Sequence, residues 1–233
     1  GQIKLGKTPV LTAARRGEVI FHDAQRSLDQ WYSCHSCHYE GGINSERMDT
    51  FNDGTAFTFK TVLPLYAIEQ TAPWTWHGWQ KDLNAAMRKS ITSTMLGKEP
   101  SEEDVTDLLS YVKTLQPPPN PYRQADGGLS PAAKRGQTVF RSSQAGCASC
   151  HEGPYFTDGQ IHDLGLGEEK DKYQGFNTPT LSGVYRKVRL MHHGRAKTLQ
   201  QVLSKYHAPQ DVGGSGKLSE QQLADLIAYL KSL

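Results

Sequence analysis

The residues best placed to do chemistry are four cysteines and two histidines, arranged as Cys34-His35-Ser36-Cys37-His38 and Cys147-Ala148-Ser149-Cys150-His151. These motifs use all four cysteines of the chain, so nothing is left for a disulfide framework. Two thiols three positions apart on a turn that opens a helix can each add to a vinyl group of one porphyrin, while the adjacent imidazole reaches under the ring to its iron. The C-x-x-C-H order therefore points to covalently attached haem, with Cys34, Cys37 and His38 holding one and Cys147, Cys150 and His151 holding a second. Zinc is the alternative chemistry, since each motif offers two thiolates and an imidazole, but the two pairs lie too far apart for an ordinary zinc ribbon. A thioredoxin-like redox motif would need strand–helix alternation, and the surrounding pattern is helical.

The elements that must position these motifs occur twice. Thr12 to Phe21 (TAARRGEVIF) pairs with Ser130 to Phe140 (SPAAKRGQTVF), each opening on an N-cap residue, with Pro131 at the tolerated first helical position. Ser101 to Leu115 pairs with Ser219 to Leu233. The apolar positions Val105, Leu108, Leu109 and Val112 match Leu223, Leu226, Ile227 and Leu230 at helical spacing, and Ser219 with Gln222 makes a capping box. A third match, Trp76-His77-Gly78 with His192-His193-Gly194, precedes amphipathic stretches at 81–96 and 198–207. The spacing predicts a mainly α chain of two cytochrome-c-like helical domains related by duplication, each around one haem: 1–116, a Pro/Gly-rich linker over 117–129, and 130–233. Gly17 and Gly136 mark where a closing helix crosses an opening one, with Tyr111 or Tyr229 packed over the notch.

Bulk properties agree with a buried prosthetic group. Only 36% of the 233 residues are hydrophobic and the mean hydropathy is −0.60, so two small domains have little side-chain core of their own. A tetrapyrrole face supplies the missing apolar surface. The net charge of +2, with no long basic run, gives no case for nucleic acid. No stretch approaches the roughly eighteen consecutive apolar residues of a spanning helix, and GQIKLGKTPV lacks the apolar core of a signal peptide. The expectation is a soluble, processed chain or an excised fragment.

The sixth iron position decides between shuttling electrons and binding peroxide or oxygen. For the first haem the candidates are Met48, Met87, Met95, His22, His35 and His77. Met87 shares a helical stripe with Leu83 and Ala86 and reads as core, whereas Met95, at the end of that helix, can swing a thioether over the ring. For the second haem, Leu199, Val202, Leu203 and Tyr206 recur at helical spacing, which favours Tyr206 as ligand, with His207 as its alternative. Met191, His162, His192 and His193 are more distant candidates. Arg186, Lys187, Arg189, Arg195 and Lys197 form a basic group able to meet haem propionates or an acidic partner.

These residues resemble the bacterial dihaem cytochrome c peroxidases and their MauG-type relatives over nearly the whole chain. The resemblance rests on Phe21-His22-Asp23 leading through Ser33 into the first motif, on Trp76-His77-Gly78, on Asn177-Thr178-Pro179-Thr180-Leu181, and on His192-His193-Gly194-Arg195-Ala196 before Thr198-Leu199. It implies that Trp76 relays electrons between the haems, that Arg195 contacts a haem, and that calcium binds near Thr178 and Pro179. Tyr206 falls where the peroxidases carry methionine and MauG-like members tyrosine. The family's distal glutamate is missing: that neighbourhood reads Ser93-Thr94-Met95-Leu96-Gly97, and no carboxylate follows until Glu99. An O–O bond is split with the help of such a general acid/base, so the expected function is electron transfer between two inequivalent haems, with peroxide reduction or redox and gas sensing as alternatives. The expected partner is a redox protein, either a small cytochrome or a cupredoxin, or a larger parent chain, in a periplasmic or otherwise exported location.

Overall fold

In the computed structural model, Ile3, Gly6 and residues 10–233 are described. In chain order the elements are α1 (Ala13–His22), α2 (Cys34–Cys37), β1 (Arg47–Met48), β2 (Lys60–Thr61), α3 (Leu83–Lys89), α4 (Glu102–Val112), α5 (Pro131–Arg141), β3 (Ile161–His162), β4 (Phe176–Asn177), α6 (Leu199–Gln201) and α7 (Glu220–Lys231). The helices begin where their sequence caps predict. Thr12 Oγ1 accepts the Arg15 N–H, and Ser130 Oγ accepts that of Ala133 ahead of Pro131. Ser219 and Gln222 form the expected reciprocal box at α7, and Ser101 and Asp104 form the same box at α4.

The predicted crossings form in both halves. A Cβ on Gly17 would lie 1.8 Å from the Asp107 carbonyl oxygen and 2.9 Å from Tyr111 Cβ; on Gly136 it would lie 1.9 Å from the Asp225 carbonyl oxygen and 2.8 Å from Tyr229 Cβ. Only glycine lets α1 approach α4, and α5 approach α7, this closely. Each crossing is further locked by a fork of two hydrogen bonds. Arg16 reaches Asp107 at 2.5 and 2.7 Å, and Arg135 reaches Asp225 at 2.8 and 2.7 Å. Two apolar clusters sit on these crossings, one built on Phe21, Ile91, Leu108 and Val112, the other on Ala133, Phe140, Leu203 and Leu226.

The short strands repeat as well. β1 pairs with β2 through Arg47 and Thr61, and β3 pairs with β4 through Ile161 and Asn177, both antiparallel. Past them, Trp74 bridges Gln80 and Leu190 bridges Ala196. The two halves meet where these segments face each other. Thr61 N–H donates to the His192 carbonyl at 2.7 Å, and Asn177 N–H donates to the Trp76 carbonyl at 2.8 Å. Thr61 corresponds to Asn177 and Trp76 to His192 in the repeat, so the seam is pseudo-two-fold.

The segment after α4 is fastened to the end of α7: Asn120 Nδ2 donates to the Lys231 carbonyl at 2.9 Å and Arg123 Nε to the Ser232 carbonyl at 2.9 Å. One expectation is revised. The amphipathic stretches at 81–96 and 198–207 are not uniform α-helices. Each ends in a wide five-residue turn, over Ser90–Thr94 and Val202–Tyr206, closed by Met95 N–H to Ser90 O at 2.9 Å and His207 N–H to Val202 O at 2.8 Å. Gly136→Ala is expected to lower unfolding free energy by about 3 kcal/mol by forcing the crossing apart, read as a shifted denaturant midpoint, whereas Lys134→Ala on the exposed face of α5 leaves it unchanged.

Candidate functional site

Each C-x-x-C-H motif opens into an apolar-walled cavity. The first, about 300 Å3, is lined by Cys34, Cys37 and His38 on one side and by Met48, Met87 and Met95 among others. The second, about 180 Å3, is lined by Cys147, Cys150 and His151 together with Leu199, Val202, Leu203 and His207. Trp76, Asn177, Pro179 and Thr180 line both, so the seam between the halves is also the wall between the cavities.

Burial sets the chemistry of the donors. It pushes the Cys34 thiol up to about 12 and the Cys147 thiol up to about 11, so neither is a thiolate near neutrality. Burial also pushes the imidazoles down, His38 to about 4, and His207 to about 4 with the neighbouring His151 adding to the effect. Neutral imidazole is the form that binds a metal. His151 Nδ1 lies 3.1 Å from the Phe156 carbonyl, the second contact by which a metal-ligating histidine fixes its ring and leaves Nε2 free.

The wide turn sets which of the two candidates, Tyr206 or His207, lines the second cavity. A turn of this kind inserts one extra residue, so the face begun by Leu199, Val202 and Leu203 is continued by His207 and not by Tyr206. Tyr206 is half-buried, its ring 6.1 Å from that of His193 and under Lys205; it packs against the apolar cluster of this half without lining the cavity. His207 faces His151 with ring centroids 6.4 Å apart and planes at 76°. Two imidazole nitrogens at about 2 Å on opposite faces of one metal put their ring centroids roughly 6 Å apart, so this pair has the separation that one iron between them requires. The equivalent turn brings Met95, 4% exposed, to the corresponding place in the first cavity, its Sδ 4.0 Å from Cys34 Sγ. Met48 Sδ lies 3.3 Å from Cys37 Sγ, closer to the motif than its sequence position suggested.

The remaining candidates separate cleanly. His77 lines the first cavity, and His162, Met191 and His192 line the second. His22 and His35 lie against each other outside both, their ring centroids 4.6 Å apart and their planes tilted by 38°. Trp76 stands in the shared wall, its Nε1 donating to the Thr61 carbonyl at 2.6 Å and its ring 6.0 Å from that of His192. Arg195 lines neither cavity, and its exposed guanidinium pairs with Glu168. The basic group around it is not one face. Arg186 donates to the Tyr66 hydroxyl at 2.6 Å, while Lys187 points into the second cavity. Glu99 pairs with Arg88 at 2.8 Å on the surface and does not reach the first cavity. The carboxylates that line it are Asp49 and Asp53, both bonded to backbone N–H groups of their own loop. Among the described residues, the group of three metal-type ligands within reach of one ion is Cys150, Asp158 and His162, so neither motif assembles a four-ligand zinc site.

Residues 133–233 match the family model for cytochrome c. Over 94% of its length the chain is 28% identical to hydrazine synthase subunit gamma of Kuenenia stuttgartiensis, covering 77% of that protein. It is 24% identical to the methylamine utilization protein MauG of Methylorubrum extorquens over 93% of its length and 76% of MauG. In fold, a chain of the Kuenenia stuttgartiensis hydrazine synthase superposes with a TM-score of 0.81 at 24% identity, covering 100% of this chain and 98% of that one. The diheme peroxidase BthA of Burkholderia thailandensis superposes with a TM-score of 0.66 at 14% identity, over 96% and 86% of the two chains. The chain is thus similar over most of its length to MauG and to hydrazine synthase subunit gamma, and it carries a cytochrome c domain over residues 133–233. Its fold is mostly helical and cytochrome-c-like, and the cytochrome c match over residues 133–233 supports haem c binding there. The donors fit that group: paired thiols with an adjacent imidazole on one wall, a thioether or imidazole on the other. No helix among the described residues is long and apolar enough to cross a membrane.

Trp76→Phe removes a 2.6 Å hydrogen bond and leaves the Thr61 carbonyl without that partner. The expected cost is about 1–2 kcal/mol of stability, measured by chemical denaturation, with the visible spectrum of the haem protein unchanged.

Proposed function

We propose that this protein is an electron-transfer cytochrome holding two inequivalent haems c, one on Cys34, Cys37 and His38 and one on Cys147, Cys150 and His151, with Met95 and His207 as their respective sixth ligands. The chain divides, on this reading, into haem domains at 1–116 and 130–233 joined by 117–129. The observation that carries the reading is the shared wall: Trp76 lines both cavities, a position from which an indole couples two redox centres. A thioether opposite histidine favours the ferrous state more than a second imidazole does, so electrons run from the His151/His207 haem toward the His38/Met95 haem. Each iron gains two protein ligands, the arrangement of an electron carrier. Calcium is the other cofactor in this proposal. It draws support from Asn177 Oδ1, a buried oxygen with no hydrogen-bond partner beside the Thr178 and Pro179 segment. A small cytochrome, a cupredoxin or a larger parent chain supplies the electrons, and haem c attachment outside the bacterial cytoplasm gives an exported, periplasmic home.

A second reading, hydrogen peroxide reduction at the first haem, is favoured by Asp49 and Asp53 lining that cavity and by the relatives that are peroxidases, such as the cytochrome-c peroxidase IdrP1 of Denitromonas iodatirespirans. It requires the Met95 thioether to leave. Electron paramagnetic resonance of the oxidised protein separates the readings: two low-spin signals support the carrier, and a high-spin signal with rapid turnover of peroxide by the half-reduced protein supports the enzyme. His207→Ala is expected to convert one low-spin signal to high spin while Tyr206→Phe leaves both unchanged; the reverse pattern would return Tyr206 to the iron. Met95→Ala is expected to create peroxide reactivity that the parent lacks, followed as peroxide consumption with a reduced donor.

A further inference from the structure

The second cavity is lined by a charged group that neither haem attachment nor axial ligation uses. Lys187 lines the second cavity without a carboxylate within 4 Å of its Nζ among the described residues, and that nitrogen lies 6.0 Å from the centre of the Trp76 ring. Burial pushes its ammonium down to about 8. The repeat identifies its counterpart. Trp74 and Gln80 bridge as Leu190 and Ala196 do, and the residue three before Trp74 is Thr71, just as Lys187 is three before Leu190. Thr71 lines the first cavity. A neutral hydroxyl in one half has therefore become a cation in the other, at the same place in the fold.

An ammonium facing an apolar-walled cavity with no anion of its own is costly, and haem carries two propionate carboxylates. We propose that Lys187 binds a propionate of the haem in the second cavity, beside Trp76, and thereby holds that haem's reduction potential above the value that two imidazoles alone would set. This rests on the reading of that cavity as a His151/His207 haem site. The sign follows from charge: the ferric state carries one more positive charge than the ferrous, so a fixed cation disfavours it, and removing the cation favours it. Lys187 acts through the haem and is a positioning residue. Its effect narrows the potential gap between the two haems, so that electrons pass either way under modest driving force.

The test is a spectroelectrochemical titration of the full-length haem protein, parent against Lys187→Met and Lys187→Arg. In the parent, one Nernstian wave belongs to the low-spin bis-imidazole haem. Lys187→Met is expected to lower that wave so that the ferrous-to-ferric ratio at fixed potential falls about tenfold, or about 59 mV for a one-electron couple, with a smaller change in the other wave and with Lys187→Arg close to the parent. An unmoved wave in Lys187→Met overturns the lysine assignment alone, whereas a parent without a bis-imidazole wave overturns the ligand reading beneath it. Should the methionine variant not fold, resonance Raman of the parent decides: the propionate bending band shifts on transfer to D2O if an ammonium holds the carboxylate, and a band that stays in place overturns the proposal.

Discussion

Two backbone hydrogen bonds govern this molecule, Thr61 N–H to the His192 carbonyl and Asn177 N–H to the Trp76 carbonyl. They are the same bond made twice, each half donating from its second short strand to the Trp/His-His-Gly turn of the other. Because the turn carries Trp76 on one side and His192 on the other, closing the seam presses those two rings to 6.0 Å and makes a single wall serve both cavities. Gly78 and Gly194 admit this approach: a Cβ on Gly78 would lie 2.4 Å from Ile161 Cδ1 of the opposite half, and one on Gly194 would lie 3.1 Å from Thr61 Cγ2. Slippage at this seam would separate the cavities while leaving each helical crossing intact.

Within each half, a small set of apolar residues is asked to enclose a large opening. The glycine crossings give the helices a rigid frame that needs few side chains, and the Arg16–Asp107 and Arg135–Asp225 forks fix that frame. What remains open is a slot between the cysteine motif and the wide turn. The Cys34 and Cys147 thiols, held protonated by burial, and the neutral imidazoles are poor partners for free ions in solution but suited to a porphyrin that brings its own iron and apolar faces. Haem c binding follows from that donor set and from the cytochrome c family match over 133–233.

Features encoded locally were legible in the sequence. The caps at Thr12, Ser101, Ser130 and Ser219, the notches at Gly17 and Gly136, and the repeat of the Trp76 and His192 turns all follow from residue type and spacing, and the resemblance to MauG and the dihaem peroxidases covered the fold. What escaped depends on register or on distance along the chain. A stripe drawn at 3.6 residues per turn selects Tyr206; the wide turn closed by His207 and Val202 shifts the face by one residue and presents His207. Arg195 reads as a haem contact by motif, and its pairing with Glu168, 27 residues away, is not visible in the sequence. Lys187 reads in sequence as one of five residues of a basic group able to meet haem propionates or an acidic partner, and only folding separates it from Arg186 and Arg195 and brings it over Trp76. The equivalence of Met95 and His207 likewise emerges from two matching turns rather than from matching residues.

The account stands on iron porphyrin being joined through sulfur to both halves. Mass spectrometry of the intact mature protein, with its thiols counted after denaturation, addresses this directly. The account predicts a mass exceeding that of the polypeptide, 25.9 kDa for the residues given, by two haem groups, and no free thiol. A mass equal to the amino acids alone with four reactive thiols, or a single haem with two thiols remaining, would contradict it.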